Sequence, residues 1–140
     1  MSRCLKLHDE KVRVLSVLAA LIGCHETMGG QLPDGRRPDI LRISTKDRIL
    51  FLGDAKHTES PRCTATQARL LTYLHWFSSY TRVNHSLGIF AICFAKQADA
   101  HEWVRTAYSL GREAGIVFSW HGLRQFEADL FIAWFCLGNR

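Results

Sequence analysis

A 140-residue chain that is 47% apolar and 22% charged is not a disordered polymer, and it is long enough for one domain with a buried core. The net charge of +5 suits a polyanionic partner, and most of the excess lies in residues 1–70, with 12 Lys and Arg against 8 Asp and Glu. Five cysteines, odd in number and without a CxxC pair, argue against a disulfide framework or a zinc ribbon.

Residues 9–26 read as a helix, with Val14, Leu15, Leu18, Leu21 and Ile22 on its apolar face. Gly29-Gly30 and Pro33-Asp34-Gly35 have turn chemistry. Residues 38–44 and 48–56 read as two strands joined near Lys46-Asp47. Ser60-Pro61 supplies an N-cap and an N1 proline for a helix reaching Tyr80. Leu87–Ala95 is apolar on both faces, as a central strand should be. Asp99 and Glu102 have capping-box spacing for a helix ending near Gly115, and Ile116–Trp120 reads as a short strand. Periodicity does not separate helix from strand over 123–137. The order predicts an α/β domain, a mixed central sheet flanked by helices, in one unit over residues 1–140.

The chemistry gathers on the two early strands. With Lys46-Asp47 at the centre of the turn, positions i and 93−i face each other, so Leu41 meets Leu52 and Asp39 meets Asp54. Side chains alternate, which puts Asp39, Leu41 and Ile43 on one face with Leu50, Leu52, Asp54 and Lys56. Two ionised carboxylates about 5 Å apart repel by about 3 kcal/mol at an effective dielectric near 20. A cation or a shared proton removes that penalty. Glu26 ends the stripe Leu15, Leu18, Ile22, Glu26 on the first helix, and Glu10 is the runner-up for the same role. Gln67 stands one turn before Leu71 and Leu74 on the second helix and is expected to approach Asp54 and Lys56. Arg36, Arg37, His57 and Arg62 flank the set as candidate phosphate contacts. His25-Glu26 begins like a zincin motif, but position 29 is glycine, so HExxH fails. The four tryptophans read as core or interface residues and not as base-stacking platforms.

Pro38-Asp39 followed by Asp54-Ala55-Lys56, with Glu26 upstream, resembles the PD-(D/E)xK nuclease superfamily over roughly residues 9–95. The resemblance implies a restriction-endonuclease-like αβββαβ core and metal-dependent phosphodiester hydrolysis, with DNA as the first candidate substrate. It implies Mg²⁺ or Mn²⁺ on Asp39, Asp54 and the Ala55 carbonyl, with Glu26 holding metal-bound water or a second ion. Lys56 would orient or deprotonate water, or stabilise charge at phosphorus. Gln67 resembles a glutamine of the RecB-like and lambda-exonuclease-like branch. A tyrosine often follows four residues later there; this chain has Leu71, with Tyr73 two further on.

The alternative is a non-catalytic nucleic-acid-binding or assembly module of the same fold; intact Asp39, Asp54 and Lys56 favour the enzyme. The unbroken apolar run Leu130–Leu137 motivates a homodimer. Neither that run nor the interrupted Val12–Ile22 is long enough to span a membrane, the opening residues do not read as a signal peptide, and a reducing cytoplasm is the expected setting.

Overall fold

The computed structural model describes residues 3–28, 32, 37–46, 48–56, 61–113 and 115–119. Helix α1 (Arg3–Leu21) leads into strands β1 (Glu26–Thr27), β2 (Ile40–Ser44) and β3 (Ile49–Lys56). Helix α2 (Thr64–Val83), strand β4 (Leu87–Phe94), helix α3 (Gln97–Ser109) and strand β5 (Ile116–Ser119) follow. The strands form one sheet in the order β1-β2-β3-β4-β5. The β1–β2 and β2–β3 pairs are antiparallel, and the β3–β4 and β4–β5 pairs are parallel. This is the expected α/β architecture, a mixed sheet with helices on its faces, and its first six elements run α, β, β, β, α, β.

Alternation along the strands divides the core. Ile49, Phe51 and Ala55 of β3, with Ile40, Ile89, Ala91 and Cys93, pack against Leu15, Leu18 and Ala19 of α1 and against Ile22 just beyond it. Leu50 and Leu52, with Leu41, Phe90, Ile92 and Phe94, pack against Leu70, Tyr73 and Leu74 of α2 and Ala100, Trp103 and Ala107 of α3. All eight residues of β3 are buried, so it is the central strand. Gly88 lets α2 cross β4 closely, because a Cβ there would collide with the Phe77 ring and Thr81.

The hairpin register is the one expected from the turn position, with Ile40, Leu41, Arg42, Ile43 and Ser44 opposite Gly53, Leu52, Phe51, Leu50 and Ile49. Positions 45–48 connect the strands, and Arg48 at φ 53° takes the left-handed conformation a glycine often supplies.

The helix ends differ from the sequence reading. Gly23 at φ 86° stops α1: its N–H donates to the Ala20 carbonyl and that of Cys24 to the Ala19 carbonyl, a Schellman closure. Glu26 is therefore not helical but sits on β1, a strand too short to read from two residues. Helix α2 starts at Thr64 with Cys63 as N-cap, three residues beyond Pro61. Lys96, not Asp99, is the N-cap of α3. Gly111 at φ 69° closes α3 before Gly115 is reached, with Arg112 N–H donating to the Ala107 carbonyl.

Cys24 and Cys93 are buried and Cys63 is exposed. Trp103 is a core residue, and Trp76 stacks on Tyr80 with centroids 5.2 Å apart. Trp120, Trp134, Cys136, the ambiguous stretch 123–137 and the apolar run behind the homodimer expectation lie outside the described residues. Among the described residues no helix is long and apolar enough to cross a membrane.

Candidate active site

The regular β2–β3 ladder stops at Ile40–Gly53, and the aspartates occupy the next position of the same register. Beyond that point side chains take over the hydrogen bonding. The Asp39 N–H donates to Asp54 Oδ1 at 3.1 Å, and the Ala55 N–H donates to Asp39 Oδ2 at 2.8 Å. The same register sets Ala55 opposite Pro38, which has no N–H to donate. The N–H and C=O of one strand residue point to the same neighbour, so the Ala55 carbonyl is directed toward Pro38-Asp39 without a ladder donor from that residue. Pro38 thus withholds the main-chain donor that a continued antiparallel ladder would offer the Ala55 carbonyl.

Asp54 is 3% exposed and Lys56 4%, whereas Asp39 is exposed at the mouth of the site. Lys56 Nζ lies 2.7 Å from Asp54 Oδ2. That oxygen is cut off from solvent and receives no hydrogen bond of good geometry, so the contact is an ion pair without a directional bond. Burial pushes the Asp54 carboxyl from 3.8 up to about 7; Lys56 pulls it down and Asp39 pushes it further up. One ammonium does not offset the loss of water and the second carboxylate together.

The donor set is two carboxylates and one main-chain carbonyl, and among the described residues no group of three or more His, Cys, Asp or Glu is placed to hold a metal. This does not suit a four-ligand zinc centre. It fits Mg²⁺ or Mn²⁺, which take oxygen ligands; Mg²⁺ usually keeps several waters and needs only one or two protein carboxylates plus substrate phosphate. The buried Asp54 Oδ2 is the group that such an ion would satisfy.

Other candidates fare differently. Glu26 is exposed on β1 opposite Ile43, which faces Leu50, four residues from Asp54 and roughly 13 Å away at about 3.3 Å per residue. It accepts a hydrogen bond from Thr45 Oγ1 and does not join the aspartates. Glu10 is on α1, but its side chain lies outside the described ones. Gln67 is half-buried in the first turn of α2, one turn before buried Leu70, and among the described residues no hydrogen bond joins its side chain to Asp54 or Lys56. Arg37 and Arg62 are exposed near the site in sequence, while Arg36 and His57 lie outside the described residues.

The sequence reading gave no role to two buried residues that the structure brings forward. Tyr73 is buried, and its hydroxyl donates to the Arg37 carbonyl at 3.2 Å, tying α2 to the segment that presents Pro38-Asp39. Its signal was a phenol on the apolar stripe between Leu70 and Leu74. Lys11, 2% exposed, is buried on the α1 side of the sheet, one turn before Leu15. Cys93 lies on that side too: burial pushes its thiol up to about 12, with Lys11 pulling the other way, so it is an unreactive core residue. Cys63 differs, since the N–H groups of Thr66 and Ala65 at the start of α2 hold its exposed thiol below the ordinary value.

A cleft of about 330 Å³, lined by residues including Ser44, Arg48, Tyr80 and Asn84, opens at the turn end of the hairpin, away from the aspartates. Scans against models of known protein families, curated proteins and solved structures return no match for this chain.

Proposed function

We propose that this chain is a Mg²⁺- or Mn²⁺-dependent nuclease that hydrolyses phosphodiester bonds, with DNA as the first substrate to test. The observation that carries this reading is the buried Asp54–Lys56 pair beside an exposed Asp39, whose N–H donates to Asp54 Oδ1 and whose Oδ2 accepts from the Ala55 N–H. Buried ion pairs seldom stabilise a fold relative to apolar packing, so one at the end of a central strand, next to an exposed carboxylate, is better explained by chemistry. The resemblance of Pro38-Asp39 and Asp54-Ala55-Lys56 to the PD-(D/E)xK pattern supports the same conclusion.

Asp39, Asp54 and the Ala55 carbonyl would hold the ion. When bound, it supplies Lewis acidity and a template for in-line displacement at phosphorus. Lys56 positions the attacking water or a phosphate oxygen with its ammonium. Arg37 and Arg62 offer charge to flanking phosphates, contacts that position the strand without reading its sequence. Tyr73 holds the Asp39 segment in place through the Arg37 carbonyl.

The test is an assay of the purified protein on single-stranded, duplex and branched DNA and RNA with Mg²⁺, Mn²⁺ or EDTA. Cleavage that needs the ion and disappears in Asp54→Ala supports the reading. Undiminished cleavage in EDTA ends it. Nucleic-acid binding with no cleavage under any condition assigns the chain to the non-catalytic module instead.

A further inference from the structure

The pair Asp54–Lys56 poses a conflict that the nuclease reading leaves open. Asp54 Oδ1 is committed to the Asp39 N–H, and Asp39 Oδ2 to the Ala55 N–H. The Asp54 oxygen without a directional donor is Oδ2, and the Lys56 ammonium already lies against it. An ammonium and a dication cannot share one carboxylate oxygen without strong repulsion, because their like charges would meet near contact distance around an oxygen cut off from solvent.

We propose that Lys56 is a stand-in counter-ion whose ammonium holds Asp54 Oδ2 until a divalent cation takes that oxygen, and that metal binding thereby releases Lys56 toward the substrate phosphate. The inference rests on the nuclease reading and deepens it by ordering the events: the ion arms the lysine. Lys56 suits the task. It is the last residue of β3, so its stem lies at the rim of the sheet, and its side chain carries a compact charge on four rotatable carbons. While the metal is absent, the pairing keeps Asp54 from standing as a lone buried charge. It also keeps the ammonium from binding phosphate on its own, which would make substrate binding by the metal-free protein unproductive.

The experiment is amine acylation of the whole chain, with labelling of each lysine quantified by peptide mass spectrometry without metal and with saturating Mn²⁺. Mn²⁺ binding is measured on the same samples by calorimetry. Lys56 labelling should rise several-fold with Mn²⁺, while that of Lys46 and Lys96, both already exposed, stays constant. Lys56→Met, if folded by circular dichroism, should bind Mn²⁺ about tenfold more tightly than the wild type, because the competing charge is gone. If Mn²⁺ binds but Lys56 labelling does not change, the counter-ion proposal is overturned and the nuclease reading stands. If calorimetry shows no Mn²⁺ binding to the wild type, the nuclease reading itself fails. Should Lys56→Met not fold, the labelling of the wild type decides alone.

Discussion

The two ends of the β2–β3 hairpin carry similar side chains in opposite circumstances. At the turn, Thr45, Lys46, Arg48 and the neighbouring Glu26 are exposed, and the Thr45–Glu26 hydrogen bond lies in water. At the other end Asp54 and Lys56 are buried; the Asp39 N–H donates to Asp54, and the Ala55 N–H donates to Asp39. Exposed charges keep most of their hydration, and contacts between them are worth about 1 kcal/mol or less. Buried ones lose hydration and require partners, which is why burial distinguishes a site from a decorated turn. A cleft marks the turn end, yet the group with the perturbed acidity is at the other end.

The largest expected contrast is in cleavage. Asp54→Ala should lose metal binding and cleavage together, and Lys56→Ala should lose more than about a hundredfold in rate while still binding the ion. An unimpaired Asp39→Asn, Asp54→Asn double variant would break the comparison outright.

The next effect is on the metal-free fold. The folded-state value of Asp54 is raised above the unfolded one, so the native state holds the proton more tightly. This contribution to stability is present at low pH and is lost as pH rises from about 3.8 through about 7. A shift of that size corresponds to a few kcal/mol. In EDTA, the wild type should lose several degrees of melting temperature relative to Asp54→Asn between pH 5 and pH 8. Parallel curves for the two proteins would show that Asp54 does not titrate as the site requires. Mg²⁺ or Mn²⁺ at pH 8 should restore the loss, by about 2.7 kcal/mol at a hundred times the dissociation constant, and Asp54→Asn should lack that response.

Tyr73→Phe should cost about 1 kcal/mol in stability and lower activity modestly, since the hydroxyl to the Arg37 carbonyl is one neutral hydrogen bond. Equal rates for Tyr73→Phe and the wild type would remove its positioning role. Glu26→Gln gives the smallest effect: stability within about 0.5 kcal/mol and metal affinity unchanged, because it alters an exposed contact at the turn end. A metal-binding defect in Glu26→Gln as deep as that of Asp54→Ala would mean the hairpin's ends are not separate in function.

The hairpin was legible from local pattern and turn position. Alternation puts the leucines on one face, and a turn centred near Lys46-Asp47 then selects the register that carries Asp39 and Asp54 to one position. The layered α/β order followed from the same local periods. The tertiary structure decided the rest. Gly23 ended α1 five residues before the expected end, and Glu26 passed to the far end of the hairpin, because a short closure motif outweighs a periodic stripe that runs on past it. Strand β1 has two residues and no pattern of its own; only pairing with Arg42 and Ile43 defines it. The Lys56–Asp54 contact, the Tyr73 tie and the burial of Lys11 depend on which helix covers which face, a long-range outcome that no local period encodes. Period-2 alternation told which side chains share a face; only packing decided which of those charges lost their water.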